Sequence, residues 1–310
     1  GAAAPAAGAS APLAGAAGVP ASSAPAVASI GASAVPGTPA PAAPAASEKI
    51  EVTTDVYRLT FDGEGGSLTH AELLKHADMT DKAKNFVLFD ESTQRVYAAQ
   101  TGLIGGSFPT HKTVMTAVPG PRSLKDGENE LTIRFESPEQ GGVKLVKTWT
   151  LKRGAYDIAV KHEVVNVGST AVSPQLYLQL VRDGNKPPGE SSFYSTFTGP
   201  AVYTDAKKYQ KIEFKDIENG KVDIPKESPN GYVAMVQHYF ASAWLLADGV
   251  QRELFTRKVS DNLYSVGMIT PLGNIDPGTT KVVDARLFAG PQVETMLEKL
   301  STGLDLVKDY

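Results

Sequence analysis

Residues 143–165 read VKLVKTWTLKRGAYDIAVKHEVV, and apolar and polar residues alternate through both halves of this stretch. The apolar positions share one parity before the break, at Val143, Leu145, Trp149 and Leu151, and one after it, at Tyr156, Ile158, Val160 and Val164. A period of two is that of a strand with one buried face. Arg153 and Gly154 interrupt the pattern, so the stretch predicts two antiparallel strands joined as a hairpin.

Strand signals continue on both sides of this hairpin. Residues 50–61 alternate in the same way, and residues 263–269 and 281–289 are further short apolar stretches. Residues 232–246 are almost unbroken in apolar and aromatic side chains, which favours central strands buried on both faces. Turn pairs such as Asn219-Gly220 separate the stretches. We therefore predict an all-β, mainly antiparallel fold built as a large sandwich, without βαβ alternation.

The two ends of the chain differ from the part between them. Residues 1–47 contain only small or aliphatic side chains with recurring prolines, which predicts a disordered Ala/Pro-rich tether. Residues 48–290 form the predicted sandwich domain. In residues 291–310, Pro291 suits a first helical position, and apolar residues recur at helical spacing. These are Val293, Met296, Leu297, Leu300 and Leu304. We predict a C-terminal helix that packs on an edge of the sandwich.

The composition excludes several kinds of function. The 310 residues carry a net charge of -4, which is not the basic footprint of a nucleic-acid-binding protein. There is no cysteine, which rules out disulfides, cysteine-based zinc sites and thiol nucleophiles. No run of large apolar residues approaches the roughly 18 needed for a transmembrane helix. Because the sequence starts without methionine and stops just after a helical pattern, we expect it to be a segment of a longer protein.

The residue patterns predict no catalytic site, no metal site and no cofactor. None of the five histidines lies at metal-ligand spacing, and neither a nucleophile elbow nor a phosphate loop occurs. His162 lies on the apolar parity of its strand, where a hydrogen-bonded core histidine is expected. A glycosidase needs two carboxylates across a cleft, and sequence alone cannot place such a pair among the 34 acidic residues. We therefore expect a protein that is not an enzyme.

One aromatic and lysine-bearing segment, residues 193–214, is the candidate binding surface. Aromatic side chains in a loop-rich segment either face a partner or close the core, and the sequence leaves both interpretations open. The candidate partner-docking residues in it are Phe193, Phe197, Tyr203, Lys208 and Tyr209.

Five stretches, in the same order, resemble the large first periplasmic domain of the YidC family of bacterial membrane protein insertases. The most specific is Gly231-Tyr-Val-Ala-Met-Val-Gln-His-Tyr-Phe-Ala-Ser-Ala-Trp244. The other four are Thr54-Asp55-Val56 through Gly65-Gly66, Lys147 to Gly154, Phe197 to Tyr203 followed by Lys208-Tyr209, and Gly290-Pro291 followed by Leu304-Asp-Leu and Asp309-Tyr310. The resemblance covers about residues 48–310.

This resemblance implies a β-supersandwich, similar to galactose mutarotase-like carbohydrate-binding folds, with a C-terminal α-helical linker. It implies a place in the periplasm of a Gram-negative bacterium, as part of a multi-spanning inner-membrane protein. The tether would follow one transmembrane helix, and the C-terminal helix would lead to another that this chain lacks. The implied partners are the Sec accessory subunits SecF and SecD and nascent membrane proteins. No histidine or glutamate matches the mutarotase acid and base, and fold alone does not transfer function.

Three hypotheses about function follow. The first is an interaction domain that contacts Sec accessory subunits or emerging substrates. The second is a ligand-binding module that holds a glycan, a lipid or a hydrophobic peptide in a cleft lined by aromatic residues such as Trp149 or Trp244. The third is a spacer. Burial of both indoles in the core would exclude sugar stacking by them.

Overall fold

The computed structural model describes residues 31–37, 47–189 and 196–308. The chain divides into two compact units, residues 1–34 and residues 35–310. In the first unit, a short 3-10 helix runs over Ala32–Ala34. The second unit contains the strands and helices described next.

The first sheet of the second unit has nine strands. In spatial order they are β1 (Lys49–Thr53), β2 (Tyr57–Asp62), β3 (Ser67–Ala77), β4 (Asn85–Glu91), β5 (Val96–Ile104), β10 (Gln175–Asp183), β17 (Leu263–Pro271), β16 (Arg252–Ser260) and β13 (Glu227–Ser228).

The second sheet also has nine strands. In spatial order they are β12 (Lys208–Lys211), β11 (Gly199–Thr204), β14 (Tyr232–Val236), β15 (Phe240–Leu245), β18 (Thr280–Pro291), β9 (Asp157–Asn166), β8 (Val143–Lys152), β7 (Glu130–Glu136) and β6 (Thr116–Ala117). Two short helices, α1 (Phe214–Glu218) and α2 (Glu294–Leu300), and a 3-10 turn at Leu304–Val307 complete the elements. Neighbouring strands pair antiparallel, so the predicted all-β, mainly antiparallel sandwich is confirmed.

The hairpin predicted at residues 143–165 is formed by β8 and β9. Val143 lies opposite Asn166, and Trp149 lies opposite Val160. The apolar parity of both strands faces the first sheet, because alternate residues of a strand point to opposite faces. The alternation in the sequence thus corresponds to one buried and one partly solvated face.

Both tryptophans lie in the core between the sheets. Their ring centroids are 6.2 Å apart, and each indole is at most 1% exposed. Trp149 Nε1 donates to Gly66 O, and Trp244 Nε1 donates to Gln179 O across the sandwich. The indoles are therefore packing groups with satisfied donors, and sugar stacking on them is excluded.

The apolar run at residues 232–246 forms two strands, β14 and β15, that are buried on both faces, as predicted. Their inner face lies in the main core. Their outer face is covered by the C-terminal segment, where Leu297, Leu304 and Val307 pack on residues such as Ala243 and Phe288. A strand pair that is covered on both sides needs apolar residues at every position, which accounts for the unbroken run.

The C-terminal helix differs from the sequence prediction in three ways. Pro291 is the last residue of β18, paired with Phe240, and α2 begins at Glu294. The helix ends before Gly303, whose φ of 78° is left-handed, so Leu304 belongs to a separate 3-10 turn. The segment also packs on a sheet face and not on an edge, because the outer face of β14 and β15 is apolar and has to be covered.

A tyrosine hydroxyl fastens this C-terminal segment. Tyr232 Oη donates to Gly303 O at 2.9 Å, and the Tyr232 ring stacks on Tyr203 with centroids 5.6 Å apart. A Tyr232→Phe variant is expected to lose about 1 kcal/mol locally, because the carbonyl loses its donor. Hydrogen exchange of the amides of residues 294–307 should then be roughly five-fold faster.

The matched control for this prediction is Tyr264→Phe. The Tyr264 hydroxyl donates to Glu218 Oε1 at 2.8 Å, away from the C-terminal segment. This variant should leave exchange at residues 294–307 unchanged. Equal exchange in wild type and Tyr232→Phe would show that the hydroxyl does not fasten the segment.

Part of the N-terminal arm lies in the second unit. Val35 is 1% exposed, and its carbonyl accepts a hydrogen bond from the Arg257 guanidinium of β16. The boundary between tether and domain at residue 48 stays a prediction. None of the helices within residues 31–37, 47–189 and 196–308 has the length and hydrophobicity of a transmembrane span.

Candidate partner-docking surface

The candidate docking residues come from β11, β12 and the loop before them. Phe193 lies outside the described residues. In the β11–β12 pair, Tyr203 lies opposite Tyr209, and Thr204 lies opposite Lys208. The fold therefore brings four of the five candidates together at one edge of the second sheet.

Tyr203 is a packing residue in this arrangement. It is 5% exposed and belongs to the apolar cluster beneath the C-terminal segment. A methyl group built on Gly303 would lie 2.5 Å from its ring, so the backbone of the C-terminal segment lies directly over the tyrosine. A partner cannot reach Tyr203 unless this segment moves.

Phe197 and Tyr209 are half-buried at the margin of the same cluster. Lys211 Nζ lies 5.4 Å from the centroid of the Phe197 ring, a cation–π distance. The two rings therefore present an apolar margin next to a cationic side chain, and aromatic residues are enriched at protein interfaces.

Lysines supply the exposed positive charge of the site, and exposed Asp205 and Glu213 flank them. Lys207 and Lys208 are exposed, and Lys208 has a left-handed φ of 61° at the start of β12. We use the name "β12 surface" for Phe197, Lys207, Lys208, Tyr209 and Lys211. A short edge strand rich in lysine resists pairing with a further strand. The β12 surface is thus suited to side-chain contacts with an acidic partner.

A second polar constellation is buried between the sheets, and the sequence analysis predicted only its histidine. Lys147 is fully buried in β8, and its Nζ donates to Gly65 O and Thr101 O at 2.6 Å each. Its cross-strand neighbour His162 is buried too, and His162 Nε2 lies 2.9 Å from Thr101 Oγ1. The expected hydrogen-bonded core histidine is confirmed. Lys147 lies on the same alternating face of its strand as Leu145 and Trp149. That alternation is the feature of the sequence that could have predicted its burial.

Burial sets the protonation of this network. Burial lowers the pKa of Lys147 to about 7. Burial and then the charge of Lys147 lower the pKa of His162 to about 3, and the same causes lower the pKa of His111 to about 3. All three groups are shielded from solvent: Lys147 and His162 join the second sheet to Thr101 of the first, and His111 bonds to Tyr177. They are not placed to act on a substrate.

Metal-binding groups do not converge in the part of the chain described above. Within residues 31–37, 47–189 and 196–308, no three histidine, aspartate or glutamate side chains are grouped so that they could hold an ion. His111 Nδ1 lies 2.6 Å from the Tyr177 hydroxyl, and His70 Nδ1 lies 3.1 Å from Asp90 Oδ1. These histidines have structural partners.

Comparison with known proteins identifies the family to which the chain is similar. The family model described as the YidC periplasmic domain matches residues 49–310. The chain is 50% identical over 274 residues to the membrane protein insertase YidC of Janthinobacterium sp. (strain Marseille), covering 88% of the chain and 48% of that protein. It is 52% identical over 263 residues to the corresponding protein of Cupriavidus taiwanensis, covering 85% and 46%. The chain thus spans about half the length of the curated relatives it matches.

Two solved structures are among those to which the chain is similar. A galactose mutarotase related enzyme from Lactobacillus acidophilus has a TM-score of 0.49 and 9% identity, covering 78% of the chain and 97% of that protein. A galactose mutarotase-like protein from Lactobacillus casei has a TM-score of 0.47 and 10% identity, covering 78% and 100%.

Proposed function

Because the chain belongs to the YidC periplasmic domain family, we propose that it is a non-catalytic interaction domain of a membrane protein insertase. It lies in the periplasm of a Gram-negative bacterium, next to an inner membrane that the rest of the protein spans. Its partners are the Sec accessory subunits SecF and SecD or nascent membrane proteins. Insertion itself belongs to membrane segments outside this chain.

The observation that carries the proposal is the β12 surface. Exposed Lys207 and Lys208 stand beside the half-buried rings of Phe197 and Tyr209, and the strand is too short and too charged to extend the sheet. The proposal retains these residues and omits Tyr203, which is buried. Phe193 stays a candidate on the basis of sequence alone.

A double charge reversal tests the docking role. Lys207→Glu with Lys208→Glu, introduced into the full-length insertase in its own membrane, is expected to reduce crosslinks from residues 196–214 to SecD and SecF at least five-fold. The physical reason is that reversed charges repel an acidic partner and slow its association. Crosslinking mass spectrometry with a photoreactive residue placed at exposed Ala206 measures this change, because this crosslinker does not react through the lysine amines that the variant removes.

The control reverses two lysines on the other half of the same sheet. Lys144 and Lys161 are exposed on β8 and β9, and Lys144→Glu with Lys161→Glu makes the same change in net charge. Both double variants should unfold within about 0.5 kcal/mol of wild type, as surface substitutions usually do. Crosslinks only to the protein's own membrane core, or an equal loss in both variants, would favour the spacer role over docking.

The proposal of a ligand-binding module for a glycan, lipid or hydrophobic peptide has less support. Its sugar-stacking form relied on Trp149 and Trp244, and both indoles are buried with their N–H groups bonded to main-chain carbonyls.

A further inference from the structure

A cavity of about 560 Å³ lies beside the turn between β14 and β15. Polar and aromatic groups from three parts of the chain line it: Asp78, Asp90, Arg95, Gln237, His238 and Tyr239. We call it the turn cavity. Its lining residues are distinct from those of the β12 surface.

Tyr239 is held at this cavity in a strained conformation. Its φ is 69°, in the left-handed region that a bulky side chain rarely adopts. Its ring is stacked on His238 at 3.7 Å and 18°, and the residue is 56% exposed. Strain of this kind persists where the surrounding structure imposes it, and it is concentrated at binding sites. The turn thus presents an aromatic face to solvent beside the cavity.

Gln237 contributes a buried acceptor. It is 4% exposed, and within the described residues its Oε1 has no hydrogen-bond partner. Its main-chain carbonyl accepts from Gln292 Nε2 at 2.8 Å, which holds the turn against the start of the C-terminal segment. A buried amide oxygen without a donor is unfavourable, so a ligand that brings an N–H group would be stabilised there.

The charges of the turn cavity favour a cation. Asp78 Oδ2 accepts from Thr80 and Asp81, and Asp90 Oδ1 lies 3.1 Å from His70. The main-chain N–H of Met79 also donates to Asp78, and that of Glu91 donates to Asp90 Oδ1. Arg95 is the cation of the lining, but its Nε lies 3.7 Å from Asp183 Oδ2, which offsets its charge. The lining therefore has one more carboxylate than guanidinium groups, and its guanidinium already faces Asp183 outside the cavity.

We propose that the turn cavity binds an arginine side chain of a peptide segment. The guanidinium stacks on the exposed face of Tyr239, and its N–H groups donate to Asp90 and to Gln237 Oε1. A guanidinium is planar, positively charged and carries only hydrogen-bond donors. It can therefore stack on Tyr239, pair with Asp90 and donate to Gln237 Oε1 at the same time. This site goes beyond the proposed docking role of the β12 surface and does not depend on it.

The probe is the peptide acetyl-Ala-Arg-Ala-amide, added to the isotope-labelled 310-residue chain and followed by NMR. The matched ligand is the citrulline peptide, which keeps the shape of the side chain without its charge. We expect amide signals at residues 237–239 to shift with the arginine peptide, and an affinity for the citrulline peptide at least ten-fold weaker.

Two variants localise the interaction. Tyr239→Gly removes the ring at a backbone conformation that glycine adopts freely, so the fold is retained. Tyr239→Gly and Asp90→Asn should each weaken arginine-peptide binding at least five-fold. Tyr239→Phe keeps the ring, and Asp126→Asn changes an exposed carboxylate in a distant turn, so both should bind within two-fold of wild type.

Three results would overturn the proposal. One is binding of the citrulline peptide within two-fold of the arginine peptide. Another is the absence of shifts at residues 237–239 with 10 mM arginine peptide. The third is a site that takes methyl β-galactoside in preference to the peptide, which would make the turn cavity a sugar site. None of these results depends on whether SecD or SecF binds the β12 surface.

Discussion

A Gly231→Ala variant is expected to lose about 4 kcal/mol of unfolding free energy, the sum of backbone strain and overpacking. Gly231 precedes β14 with a φ of 95°, and an added methyl group would lie 1.8 Å from Tyr203 O. The chain cannot shift away easily, because Arg252 Nη1 donates to Gly231 O at 2.8 Å. Urea denaturation measures the loss.

Gly249 supplies the control for this prediction. Its φ of 91° is nearly the same, but no atom lies within 4 Å of an added methyl group. Gly249→Ala is therefore expected to lose only the cost of placing alanine at a positive φ, about 1 kcal/mol of unfolding free energy. If both variants were destabilised to the same extent, the contact between Gly231 and Tyr203 would not be a determinant of stability.

The unfolding free energy should rise by about 2 kcal/mol between pH 7 and pH 9 because of Lys147. Burial lowers the pKa of this lysine from 10.5 to about 7. Between these values the unfolded chain binds a proton at this position that the folded chain has lost, so raising the pH favours the folded state. Well below pH 7 Lys147 is protonated in both the folded and the unfolded state, and its contribution to the unfolding free energy no longer changes with pH.

Lys147→Met should abolish this rise, because methionine does not titrate. Lys144→Met changes an exposed lysine of the same strand and should retain it. The measurement is urea denaturation of all three proteins at pH 7, 8 and 9. An equal pH dependence in wild type and Lys147→Met would mean that another group titrates in this range.

The hairpin of β8 and β9 and the strands β14 and β15 could be predicted because their signals are local. Alternation over ten residues specifies one buried face, and an unbroken apolar run specifies two. The order of five matching stretches placed residues 48–310 in a family, and the family model that matches residues 49–310 confirms this.

The docking candidates show where local signals are insufficient. Phe197, Tyr203, Lys208 and Tyr209 do come together, but the sequence left open whether the aromatics face a partner or close the core. Burial of Tyr203 depends on Gly303, a hundred residues further along the chain. The C-terminal helix was misplaced for a similar reason, since the pairing of Pro291 with Phe240 extends β18 beyond its predicted end.

Period, turn residues and composition are properties of neighbouring residues, and they determined the all-β class, the main hairpin and the exclusion of cysteine chemistry. The partners of each polar group were decided by the packing of distant strands. Lys147 meets the carbonyls of Gly65 and Thr101 across 82 and 46 residues. Tyr239 faces a cavity that it shares with Asp90, which lies on β4 of the other sheet. Such contacts exist only after the two sheets close, because no local pattern records which segment will lie opposite.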